Sequence, residues 1–103
     1  MKILENKEKI NELTFTANVY PFCPIGKDTY GAEITVKCNL GESYPEYCDL
    51  TKEITNFSGK EYTIEQLCEA VTNLVREYNP IAAVISVSAN SNTHLAVVVS
   101  KKI

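Results

Sequence analysis

The sequence predicts an α+β fold: a four-stranded antiparallel sheet with helices on one face, in the order strand, strand, helix, helix, strand, strand. Three observations predict it. Apolar and polar residues alternate over residues 13–20 and 31–40. An apolar stripe at helical spacing runs through residues 64–78. Two runs rich in Val, Ile and Ala follow, at residues 81–89 and 95–99.

The bulk numbers agree with this. The chain has 103 residues, 45% hydrophobic and 22% charged, an ordinary composition for one domain spanning residues 1–103. A domain of this length buries a smaller share of its surface than a large one, so self-association would help it. Net charge is −3 and the pI about 5.1, which gives no bulk support to a free-standing nucleic-acid binder. Lysines gather at the ends, at Lys2, Lys7 and Lys9 and at Lys101 and Lys102, so a local basic patch stays open. No signal peptide pattern is present, and no apolar run nears the roughly 20 residues of a membrane helix. The cytoplasm is the expected compartment. Cys23, Cys38, Cys48 and Cys68 form no C-x-x-C pair, so reduced thiols are expected. No metal is expected either, because His94 is the only histidine.

The elements follow in order. Residues 1–11 read as a polar lead-in. Leu13, Phe15, Ala17 and Val19 make the buried face of the first strand. Residues 20–29 then hold Pro21, Pro24 and Gly26, which forbid a regular element and make a loop longer than a tight hairpin needs. In the second strand Ala32, Ile34, Val36, Cys38 and Leu40 share one face, so Cys38 reads as a core thiol. Residues 41–47 break the pattern. Asp49 is placed to cap a short helix carrying Leu50, Ile54 and Phe57. Thr63 and Gln66 form a capping-box pattern at the start of the main helix. Its stripe holds Ile64, Leu67, Cys68, Val71, Leu74, Val75 and Tyr78, so Cys68 also reads as core. Asn79 and Pro80 stop it. The third strand covers residues 81–89, residues 90–92 turn, and the fourth strand is apolar on both faces. Such a strand is expected to be covered on both sides, by helix on one and a neighbouring subunit on the other.

Cys23 lies in neither apolar stripe. It is either a nucleophile or a half-buried loop thiol packed beside Phe22 and Tyr20. The thiolate is the attacking form, and a nearby ammonium such as Lys27, with backbone N–H groups, favours it. Asp28 is a proton donor or acceptor for the same loop, or a turn aspartate bonding its own backbone. Glu65 either stabilises a helix N-terminus or grips two adjacent N–H donors of a guanine-like ring in bidentate fashion. Glu33 reads as a solvated strand residue. Cys48, at a helix start beside Asp49, ranks below Cys23, and His94 reads as a turn or strand-edge residue.

Two stretches carry a family resemblance. Cys23-Pro24-Ile25-Gly26-Lys27 resembles the Cys-Pro loop of the 7-cyano-7-deazaguanine reductase family. Residues 59–65 resemble the segment where that family carries its substrate-binding glutamate. With the element order, these stretches make the chain similar to the tunnelling fold over residues 13–99, and by size and loop to the single-module QueF-like amidinotransferases. The resemblance implies several things. Cys23 would attack a nitrile carbon to form a thioimide and Asp28 would move protons. Glu65 would hold the deazaguanine edge, with Phe22, Tyr30 and Lys27 completing the substrate-binding set. Ammonia would be the second substrate and an archaeosine-type amidine the product, with no cofactor. Subunits would close into a barrel with sites between them, and tRNA is a possible partner. The family's Asp stands seven residues after its Cys, where this chain has Tyr30; Asp28 fits if the loop is two residues shorter. The family's His before the glutamate is Ile64 here.

Three alternatives stand beside it. The first is an NADPH-dependent reductase. The acidic stretch associated with the reductase's cofactor would fall near residues 46–49 and is spelled differently here. The second is a pterin enzyme, because Ile64-Glu65-Gln66-Leu67 also resembles a segment of dihydroneopterin aldolase. That enzyme needs a late-strand lysine, and none precedes Lys101. The zinc-dependent pterin synthases need three histidines, which one His excludes. The third is a non-catalytic oligomeric module that binds a purine or pterin.

Overall fold

A computed structural model describes residues 1–90 and 95–103, with the backbone alone for Asn90. Of the turn expected at residues 90–92, Asn90 instead ends a strand, while residues 91 and 92 and the setting of His94 lie outside the described residues.

The alternating stretches form β2 (Glu12–Val19) and β5 (Gly31–Asn39), after a short β1 (Ile3–Glu5) and a two-residue pair, β3 (Phe22–Cys23) and β4 (Asp28–Thr29). Then come β6 (Ser43–Pro45), α1 (Tyr47–Thr55), α2 (Ile64–Arg76), β7 (Ala82–Asn90) and β8 (Val97–Lys102). The main sheet is four-stranded and antiparallel throughout, in the order β2-β5-β7-β8. Register aligns the apolar positions in rows. Phe15 faces Val36, which faces Ile85; Ala17 faces Ile34, which faces Val87, which faces Val99. Because side chains alternate along a strand, this register sends every one of them to the same face.

Both helices cover that face. α1 packs on β2 through Leu50 and Ile54, while α2 packs on β7 and β8. Leu67, Val71, Val75 and Tyr78 of the α2 stripe join Ile34, Val36, Ile85 and Val87 in one buried core. Cys38 and Cys68 belong to it, and burial pushes both thiols up. The capping box at Thr63 and Gln66 is present in both directions, at 3.2 Å and 2.9 Å. Asn79, at φ 52°, turns the chain out of the helix in the left-handed region that Asn tolerates better than most residues.

Three expectations are corrected. Residues 1–11 are not only a lead-in: β1 pairs antiparallel with β6, inside the stretch expected to be irregular. Asn6 anchors it from a buried position, donating to the carbonyls of Ile10 and Gly41 at 2.9 Å and 3.0 Å. The cap of α1 is Glu46 rather than Asp49. Its carboxylate accepts the N–H groups of Cys48 at 3.0 Å and Asp49 at 2.9 Å, which hold it below the usual carboxylate range. Asp49 sits in the first turn and accepts the Lys2 N–H at 3.2 Å. The loop after β2 contains the β3–β4 ladder despite its prolines. Within the chain, β8 is covered on one face, by α2. The single helical layer leaves Val98 67% exposed and Leu95 85% exposed.

Among the described residues, no helix is long and apolar enough to cross a membrane.

Candidate functional site

The site forms where three backbone arrangements meet at one end of the sheet. In the β3–β4 hairpin, Cys23 stands directly opposite Asp28. Residues directly opposite across antiparallel strands have Cβ atoms roughly 4.5–5.5 Å apart. Pro24, Ile25, Gly26 and Lys27 make the connection. The Lys27 N–H closes it on the Cys23 carbonyl at 2.8 Å, with Lys27 at φ 57°. The Gly26 N–H donates to the Cys23 sulfur at 3.4 Å.

The segment leading into α2 is zipped to the strand edge beside this hairpin. The Tyr20 N–H donates to Ser58 Oγ and the Gly59 N–H to the Tyr20 carbonyl, both at 3.0 Å. The Phe22 N–H donates to the Lys60 carbonyl at 2.8 Å, and the Tyr62 N–H to the Phe22 carbonyl at 3.0 Å. Cys23 follows Phe22 in the chain, and Glu65 sits in the first turn of α2, just beyond Tyr62. These bonds therefore bring the thiol and the carboxylate to one place. Tyr30, between β4 and β5, bridges the two segments. Its N–H donates to the Pro21 carbonyl at 3.0 Å and its hydroxyl to the Tyr62 carbonyl at 2.8 Å.

The result is a cavity of about 310 Å³ lined by Cys23, Asp28, Tyr30 and Glu65, with Ile25, Leu95 and Val97 among its apolar walls. That volume falls at the small end of ligand pockets. Four of the six residues expected at the site thus share one cavity. Among the described residues, Phe22 and Lys27 do not line it. Phe22 serves through its backbone, and Lys27 is exposed at the hairpin end. Ile25, Leu95 and Val97 were missed as site residues. Their signal was exposure of apolar side chains near a loop and a strand apolar on both faces.

Burial first, then the charges of Cys23 and Glu65, push the Tyr30 phenol up to about 12. Tyr78 is raised further, by burial and then by its contact with Cys38. An unfolded tyrosine ionises near 10. Above that pH the unfolded chain releases protons that the folded chain keeps, so unfolding is favoured. The stabilisation is complete below about pH 10 and is lost as pH rises towards 12. The urea midpoint should therefore fall between about pH 10 and 12, and fall less steeply in Tyr78→Phe. A flat midpoint in both chains would refute this.

No family model matches the chain, and no curated protein matches it. Among solved structures, the chain is similar to one described as the archaeosine synthase QueF-Like in the apo form. The TM-score is 0.80 at 17% identity, over 90% of this chain and 93% of that one. The likeness shows the fold: two helices on one face of a four-stranded antiparallel sheet, the tunnelling fold.

Proposed function

We propose, taking that fold as the premise, that the chain is an enzyme that converts the nitrile of 7-cyano-7-deazaguanine, free or in tRNA, to an amidine. One observation carries the reading: Cys23, Asp28 and Glu65 line the same cavity although they come from separate elements. A nucleophile, a proton carrier and a ring-holding carboxylate are the groups that this chemistry requires.

The proposed course is an addition followed by a substitution. The Cys23 sulfur bonds to the nitrile carbon, one π bond of the C≡N group opens, and the thiol proton ends on the nitrile nitrogen by way of Asp28. The product is a covalent thioimide. Ammonia then adds to the same carbon. The C–S bond breaks, the sulfur leaves as thiolate and regains a proton, and an amidine remains. No electrons are gained or lost, so no cofactor is needed. Glu65 accepts the two adjacent N–H donors of the deazaguanine edge, as a bidentate charge-assisted pair. A second copy of the chain is the proposed cover for Leu95 and Val98, which are exposed at 85% and 67%.

The aldolase reading is disfavoured by one specific feature. Its candidate lysine, Lys101, donates to the Glu69 carboxylate on α2 and does not line the cavity among the described residues.

The test is intact-mass spectrometry after incubation with 7-cyano-7-deazaguanine. Mass should rise by the whole nitrile molecule, because addition expels nothing. Added ammonia should then restore the free mass and release the amidine. Release of an amine with NADPH instead would make the protein a reductase, and absence of any adduct would sink the nitrile reading.

A further inference from the structure

We infer that Tyr30 is a positioning residue, whose hydroxyl sets the place of the α2 first turn against the Cys23 hairpin. Its catalytic consequence rests on the nitrile reading; the geometry does not.

Of the residues through which the two halves of the site are joined, Tyr62 stands nearest Glu65 in the chain. Its N–H donates to the Phe22 carbonyl at 3.0 Å, and its carbonyl accepts the Tyr30 hydroxyl at 2.8 Å. Its ring meets Phe57 edge-on at 5.7 Å. Tyr62 directly precedes Thr63, the N-cap of α2, so its placement decides where Glu65 begins. Of the groups holding it, the Tyr30 hydroxyl comes from the residue that links the Cys23 hairpin to β5. Tyr30 is tied back to that hairpin through the Pro21 carbonyl at 3.0 Å. The hydroxyl therefore fixes one wall of the cavity to the other.

Packing alone would not need the oxygen, since a phenylalanine ring fills the same half-buried space. Proton transfer is not the use either. The hydroxyl proton is committed to the Tyr62 carbonyl, and the phenol holds it to about pH 12. That leaves proton movement to a carboxylate, and Asp28 is the one that stands opposite Cys23.

Tyr30→Phe tests this in two arms. The first uses no ligand. Hydrogen exchange at the Phe22 and Tyr62 amides should quicken by about tenfold, while the Val71 and Val75 amides exchange as before. The second measures capture. At saturating 7-cyano-7-deazaguanine the adduct rate should fall by about tenfold, because attack needs the carbon held within near-attack range. Alkylation of the Cys23 peptide by iodoacetamide, which does not involve Glu65, should keep its rate. Wild-type exchange in the variant overturns the inference. So does loss of protection along all of α2, or an equal loss of alkylation and capture, since the hydroxyl would then hold the fold or the thiol loop itself. A wild-type chain that forms no adduct defeats the nitrile reading alone, and the exchange arm still decides for or against Tyr30.

Discussion

With Cys23 replaced by alanine, the chain should gain no mass from 7-cyano-7-deazaguanine at any concentration. The remaining thiols offer no substitute. Cys38 and Cys68 are buried in the core, and Cys48 is exposed on α1, away from the cavity lining. The substitution should leave the fold nearly unchanged. It removes a half-exposed sulfur and the contact from the Gly26 N–H, but keeps the backbone bond from Lys27 N–H to the residue 23 carbonyl that closes the hairpin. Surface changes of that kind alter stability by about 0.5 kcal/mol or less. The melting temperature should stay within a few degrees, and the heterocycle should still compete for the site, because Glu65 is intact. Glu65→Gln makes the complementary case. It keeps the thiol and removes the charge from a charge-assisted pair, so half-saturation should rise on the order of tenfold or more. Intact mass for the first variant and a concentration series for the second check both. A full-size adduct in Cys23→Ala would assign the nucleophile elsewhere and overturn the site.

Tyr78→Ala should be the most destabilising single change in the core. Tyr78 heads the fully buried side chains by size, with 0% exposure. It lies just beyond α2 and ties three parts of the fold together. Its ring fills the space between helix and sheet, its hydroxyl stands 3.6 Å from the Cys38 sulfur on β5, and its carbonyl accepts Ser43 Oγ of β6 at 2.7 Å. Truncating a large aromatic to alanine costs about 3–5 kcal/mol. Domains of this class are stable by only about 5–15 kcal/mol in total. At roughly 4–8 °C per kcal/mol, the melting temperature should drop by about 12 °C or more. Tyr78→Phe separates packing from hydrogen bonding. It keeps the ring, and Cys38 retains its contact to the Leu13 carbonyl at 3.5 Å, so the loss should be only about 1 kcal/mol. Thermal melts by circular dichroism measure both. A Tyr78→Ala chain that melts with the wild type would contradict the burial described here.

Much of the scaffold was legible in the sequence by itself. Residues 13–19 and 32–40 encode β2 and β5 because period two survives any partner: it states which side of a strand is dry. The stripe of α2, its capping box and the stop at Asn79 and Pro80 are equally local. The core placement of Cys38 and Cys68 followed from those stripes. The elements that went unread are those with no period to show. The three-residue strands β1 and β6 are too short to alternate visibly. Glu46 caps α1 although Asp49 has the more usual capping side chain, because the geometry of the turn chose between them.

The site was decided by tertiary structure. Nothing in the periodicity links Cys23 to Glu65; a family resemblance did so, and the fold supplies the physical cause. Residues 58–62 lie along residues 20–22 mainly through N–H and C=O groups. Every non-proline residue carries that pair, so such bonds leave no mark on side-chain identity. Tyr30 shows the same limit from the other side. The sequence offered it as a substitute for Asp28, and its spacing allowed that. Only the bond to the Tyr62 carbonyl shows that its hydroxyl is engaged in holding the wall of the cavity.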